Sequence, residues 1–282
     1  MASNDPLLDA LLDRLAAGWS ALGASLGDPP DPTLVDPEAL LAMTAHHGDA
    51  EPRLHELALD WCAARGSLIN SARLRTVATE IAGDAAEVGG PRWPFLVGLP
   101  AARQSRGKTR IGSIDMPGGL WIRLRALFGV AARADILALL ASNQSAALSL
   151  AELAARTRTT KRNVAIAVES LALGGAVEVD LVGNAKRVRL SPDPDLRAWL
   201  GAPPADADWA TRFAIVEALL RFDAAAIASP LARAVEARVL VERLLPLCRR
   251  TAWPLPDLRA RGEAFLGAYD LWRAEVTAAL SP

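Results

Sequence analysis

The stretch Ser149–Leu190, SLAELAARTRTTKRNVAIAVESLALGGAVEVDLVGNAKRVRL, holds the signals that decide the fold. Ser149 followed by Glu152 is a capping box, so a helix starts there. Leu150, Leu153 and Ala154 give this short helix an inner face, and Arg156–Thr159 reads as a turn. Thr159 or Thr160 can cap a second helix running to about Leu173. In that helix Val164, Ala167, Val168 and Leu171 recur at helical spacing on one side. Gly174-Gly175 stops it. AVEVDLV then alternates apolar and polar residues with β-branched side chains, Gly183-Asn184 turns the chain, and KRVRL returns as the partner strand.

The outer side of the second helix carries a different chemistry. Arg162, Asn163, Ile166 and Ser170 lie there, with Thr160 and Lys161 in the first turn. A helix fits the major groove of DNA and reaches base edges with its N-terminal residues. Arg and Lys pair with guanine and Asn with adenine. A helix N-terminus and capping hydroxyls suit a phosphate. Lys186, Arg187 and Arg189 on the hairpin can straddle phosphates, whereas Glu169 on the same helix would repel them.

Two helices, a glycine stop and a hairpin beside the second helix resemble a winged helix-turn-helix domain, as in the MarR-like and ArsR-like bacterial regulators. The resemblance covers about Leu120–Leu190, with LRALFGVAARADILALL as the leading helices. A longer stretch, about Asp36–Leu190, is similar to a group of uncharacterised bacterial helix-turn-helix proteins with a helical N-terminal part. The resemblance implies contact with double-stranded DNA through Thr159, Thr160, Lys161, Arg162, Asn163 and Ile166 of the second helix. It adds Asn184, Lys186, Arg187 and Arg189 of the wing.

Charge distribution agrees with that expectation. The formal net charge of the 282 residues is −1. Between Ala101 and Leu190, however, 14 Lys and Arg face 6 Asp and Glu, so a basic island sits in an acidic chain. Arg103–Arg110, RQSRGKTR, could act as a minor-groove arm, but a solvated linker is the simpler reading.

The rest of the chain reads as helix. Residues 1–88 contain four amphipathic segments, opening after Pro6, Asp36-Pro37, Pro52 and Ser71, and form an N-terminal helical domain. Residues 89–119 are rich in proline and glycine and make an extended basic linker that Trp93 and Phe95 pin to a surface. The winged unit occupies 120–191, and SPDPD is a further break. A C-terminal helical domain spans 196–282, with Ser229 as an N-cap before Pro230. The fold class is therefore mainly α: a central winged helix-turn-helix with a small β-hairpin wing, flanked by helical domains. Trp61, Trp199, Trp209, Trp253 and Trp272 are expected to fill cores.

Several function classes are disfavoured. No nucleophile elbow, phosphate loop, dinucleotide fingerprint or zinc-hydrolase motif occurs, so an enzyme is not expected. His46, His47, His55 and Cys62 are metal-ligand types in one region, but their spacing is no metal signature, and neither metal nor cofactor is expected. The two cysteines, Cys62 and Cys248, make no disulfide framework and fit a reducing cytoplasm. The acidic N-terminus is no signal peptide, and no apolar run is long enough to span a membrane. The expectation is a cytoplasmic, sequence-specific DNA-binding regulator acting as a homodimer, with the C-terminal helices as the first choice for dimerisation. The alternative is a protein-interaction module, such as an antitoxin-like or scaffolding partner.

Overall fold

The computed structural model describes residues 5–24, 30–47, 50–82, 109–143, 146–227 and 229–281. Proline after a capping side chain opens several of its helices, as the sequence signals predict. Asp5 accepts from the Leu7 amide ahead of α1 (Pro6–Ala21), and Glu51 caps α3 (Pro52–Arg65) in the same way. Between them lies α2 (Pro37–His47), and α4 (Ser71–Ala82) follows. Trp93, Phe95 and most of the basic run Arg103–Arg110 lie outside the described residues. The chain returns through an antiparallel bridge between Ala24 and Ile111. Gly118 then passes so close to residues 31–33 that a Cβ there would lie 2.6 Å from the Asp31 carbonyl oxygen.

Next come α5 (Leu120–Phe128), α6 (Ala132–Ser142), β1 (Leu148–Ser149), α7 (Leu150–Thr157) and α8 (Lys161–Leu173). The strands β2 (Val177–Val182) and β3 (Ala185–Leu190) complete this middle part. The three strands form one antiparallel sheet in the order β1-β3-β2. β1 is only two residues long and was not expected from the sequence; it pairs Leu148 with Val188 and Ser149 with Arg187. Gly183 has φ +60° in the two-residue turn between β2 and β3, the backbone that glycine takes without strain. Leu153, Val164, Val168, Leu171, Val177, Val188 and Leu190 then pack with α5 and α6 into one apolar cluster.

The C-terminal part contains α9 (Pro194–Leu200), α10 (Trp209–Ala224), α11 (Pro230–Thr251) and α12 (Ala264–Leu280). The break read at SPDPD is shorter than expected, because Asp193 accepts from the Asp195 and Leu196 amides and starts α9. The last helix, α12, starts only at Ala264. Pro254 and Pro256 lack amide donors, and Gly262 turns the backbone at φ +56°. Ser229 caps α11 as predicted.

The helical flanks, divided in the sequence reading at 1–88 and 196–282, share one apolar core. Trp19, Trp61, Leu41 and Val77 lie in the same buried cluster as Phe213, Val241, Trp272 and Val276. Polar closures reinforce it. Buried Arg14 pairs with Asp31 at 2.8 Å and donates to the Leu280 and Ser281 carbonyls, tying α1 to the end of α12. Trp199 does not fill a core: it is 52 % exposed on α9, edge-on to Phe128.

A buried ionic group joins the flanks to the middle part. Arg73 forks onto both oxygens of Asp36 at 2.6 Å and reaches Glu38 at 2.5 Å. Arg125 bridges Glu38 at 2.5 Å and Asp135 at 2.8 Å, and the Trp121 indole also donates to Asp135 at 2.6 Å. Burial alone would raise the Asp36 carboxyl, but the Arg73 charge and hydrogen bonds outweigh it and hold the group at about 2, below its ordinary 3.8. A carboxyl depressed on folding stabilises above its unfolded value and loses that stabilisation as pH falls toward the folded one. Asp36 therefore contributes about 2 kcal/mol above pH 4 that disappears as pH falls toward 2. The stability gap between the native chain and Asp36→Asn in urea unfolding should shrink from pH 6 to pH 3. A gap independent of pH would rule this out.

Candidate nucleic-acid interface

The local sequence builds two helices joined by a short turn. The Ser149 hydroxyl accepts from the Glu152 amide at 3.2 Å, and the Glu152 carboxylate accepts from the Ser149 amide at 2.6 Å. Thr160, rather than Thr159, caps α8 and accepts from the Asn163 amide at 3.2 Å. Val164, Ala167, Val168 and Leu171 are buried against α6 and α7, which turns the opposite face of α8 outward.

That outward face holds the predicted residues. Lys161, Arg162 and Asn163 are exposed in its first turn, with Thr160 exposed and Thr159 half-buried just before it. Lys161 and Arg162 make no ion pair with any described residue. The Asn163 side-chain amide donates to the Thr159 hydroxyl at 3.4 Å, which presents the two as a unit. The Lys161 and Arg162 backbone amides precede the first intrahelical bond, which runs from Val164 to Thr160. Cationic side chains and spare backbone donors thus converge where a phosphate oxygen or base edge would sit. Ile166 is 57 % exposed one turn further on, and Glu169 is exposed beyond it.

The hairpin divides its basic residues by strand register. Pairing runs from Val182 with Ala185 to Val177 with Leu190, so Lys186 shares the core-side face with Leu181. Lys186 and Asn184 are exposed, and Lys186 makes no ion pair with a described residue. Arg187 and Arg189 point the other way and are engaged. Arg187 pairs with Glu152 at 2.9 Å, while Arg189 pairs with Glu178 at 2.7 Å and Asp180 at 3.3 Å. Of the three basic residues read as able to straddle phosphates, Lys186 alone makes no ion pair with a described residue, while Arg187 and Arg189 hold acids. These pairs are exposed, so a polyanion can compete for them at small cost.

The turn carries a residue that the sequence reading passed over. Arg158 adopts a left-handed conformation, φ 51° and ψ 42°, at the end of α7. Its guanidinium reaches Asp208 at 3.1 Å, Thr211 at 3.2 Å and Glu80 at 3.1 Å. Next to it Arg156 forks onto Asp206 at 2.7 and 2.5 Å. The α7 side of the unit is thus anchored to α4 and α10, and the basic island is partly consumed by acids from outside it. Arg125, Arg156, Arg158, Arg187 and Arg189 all belong to intramolecular pairs.

Large apolar side chains are exposed on α8 and on the hairpin. Leu173 is 92 % exposed at its C-terminus, and Leu181 is 73 % exposed on β2. No protein-family model, curated protein or solved structure matches this chain. No helix among the described residues is long and apolar enough to cross a membrane.

Proposed function

We propose that residues 120–191 form a winged helix-turn-helix and that the chain is a sequence-specific double-stranded-DNA-binding protein acting as a transcriptional regulator, akin to the MarR-like and ArsR-like regulators. The observation that carries this reading is the first turn of α8. There Lys161, Arg162 and Asn163 are exposed, the two cations make no ion pair with a described residue, and the helix begins at a Thr160 cap. α8 enters the major groove, the first turn reads base edges, and Asn184 and Lys186 of the wing meet the backbone. Arg187 and Arg189 exchange their acids for phosphates on binding. Glu169 restricts close approach to the N-terminal half of the helix.

Two copies are expected on a palindromic site. Leu231, Val235 and Val239 form an exposed apolar stripe at four-residue spacing on α11, which suits a second copy. Both cysteines are free and buried, in keeping with a reducing cytoplasm as the setting.

The test is selection from a pool of genomic DNA fragments. The native chain should enrich one set of fragments, and Lys161→Ala/Arg162→Ala should lose at least tenfold in affinity for them with a shallower salt dependence. Sedimentation of the complex should give two chains per site. Unchanged affinity and salt slope in the double variant would sink this interface.

The exposed Leu173 and Leu181 favour one other reading, an interaction module that docks a protein partner through the wing. Under it no fragment rises above input, and Leu181→Glu rather than Lys161→Ala disrupts function.

A further inference from the structure

His46 and His47 end α2, and α2 packs against α10, where Glu217 sits at mid-helix. The two imidazoles stand edge to face with centroids 4.8 Å apart. Each directs its Nε2 at a different oxygen of the same carboxylate, His46 to Oε1 at 2.8 Å and His47 to Oε2 at 2.7 Å. One atom from each of the three residues lies within 4.8 Å of the others. Glu217 is 1 % exposed, whereas His46 is exposed and His47 half-buried, so the cluster has a closed floor and an open side.

We propose that His46, His47 and Glu217 form a binding site for a divalent transition-metal ion of the zinc class. Two imidazole nitrogens and one carboxylate oxygen are the donor set of three-ligand zinc sites, in which water fills the remaining position. The open side at His46 supplies that position and an entry path. Imidazole donors favour zinc, cobalt, nickel or copper over calcium and magnesium, which take oxygen ligands. A carboxylate buried at this depth needs positive partners, and a metal ion supplies one.

Small adjustments suffice. Ligand atoms around a tetrahedral zinc lie about 3.3 Å apart, given bonds of about 2.0–2.1 Å. The Nε2 of His47 stands 2.7 Å from Oε2 and must withdraw by about half an ångström, while the ligand atoms that lie farther apart, all within 4.8 Å of one another, close in by side-chain rotation. Each Nε2 must present its lone pair, so its proton moves to Nδ1 or leaves to solvent as the metal binds. Arg221 already donates to Oε1 of Glu217 at 2.5 Å. Ligation through Oε2 leaves that bond in place, and Arg221 then holds the ligating carboxylate from outside. The ion would clamp α2 to α10, fastening the N-terminal flank to the C-terminal one.

The chain has three histidines, so the test is clean in a protein without a polyhistidine tag. Metal-stripped full-length protein titrated with Co²⁺ should bind one ion per chain with the visible absorption of a four- or five-coordinate nitrogen–oxygen site. Zn²⁺ should displace it and raise the thermal midpoint. His46→Ala/His47→Ala should weaken binding at least a hundredfold and abolish both signals. Glu217→Gln tests the third ligand. Because it alters a buried group, His46→Ala alone, at an exposed position, serves as the variant whose fold is preserved by circular dichroism. Binding of equal strength in the double-histidine variant, or a six-coordinate Co²⁺ spectrum in the native chain, would overturn the assignment.

Discussion

Arg125→Met should lower the unfolding free energy by about 3–5 kcal/mol, the loss typical when one partner of a buried ion pair is removed. Arg125 is 1 % exposed and holds Glu38 and Asp135 together. Without it Glu38 still has Arg73 at 2.5 Å, but among the described residues Asp135 keeps only the Trp121 indole as a hydrogen-bond donor from a side chain. An uncompensated carboxylate at 3 % exposure then has to protonate, admit water or open the helix packing. Arg125 also spans two structural units, because Glu38 lies on α2 while Asp135 lies on α6. Its removal loosens the seat of the middle part on the flanks, so hydrogen exchange should rise first in α5 and α6. Chemical unfolding followed by tryptophan fluorescence reads the loss. A change below about 1 kcal/mol would mean that the pair contributes specificity rather than stability. Replacing Glu38, Arg125 and Asp135 together by apolar residues of similar volume separates these roles, since such swaps are often neutral.

Local signals in the sequence translated directly into structure, and long-range pairings did not. The capping box at Ser149 and Glu152, the inner face of α8, the glycine turn of the hairpin and the Ser229 cap are each set by residues no more than two helical turns apart in sequence. Their physics is contained in one window. Glu38 and Arg125, by contrast, are 87 residues apart, and His46 and Glu217 are 171 apart. A sequence shows that such residues are charged or metal-binding in type, but only the fold makes them neighbours. The shared core of the flanks is hidden for the same reason: an apolar helix face carries no label for its partner. Trp199 misled because a large aromatic on a seven-residue helix was taken to be buried.

The hairpin is an intermediate case. Once Gly183-Asn184 is fixed as a two-residue turn, counting outward places Glu178 opposite Arg189 and Asp180 opposite Arg187. That count predicts that acids on β2 neutralise the arginines of β3. The signal was in the sequence, and register arithmetic extracts it. The pairing of Arg187 with Glu152 was not there to find, since it depends on β1 joining the sheet edge.

Arg158 supplies the second large effect. A non-glycine residue in the left-handed region costs about 1–2 kcal/mol, and here the cost is offset by hydrogen bonds to Asp208, Thr211 and Glu80. Arg158→Ala keeps the strained backbone and removes every one of those bonds. It also withdraws the nearest cation from Asp208, which is held below its ordinary range because Arg158 and Arg156 outweigh the effect of burial. We expect a loss of about 3 kcal/mol, as for a hydrogen-bonded charge removed from a buried partner. Arg158→Gly also loses the bonds but relieves the backbone, so it should be about 1 kcal/mol more stable than the alanine variant. The order native, Gly, Ala in urea unfolding is the diagnostic result; equal stability of the two variants would show that the turn is unstrained. The turn fixes how α8 leaves α7, so both variants should also weaken DNA binding under the proposed function, although Arg158 itself is turned toward α10. A salt dependence unchanged from native would mark that loss as positional, because no phosphate contact disappears with it.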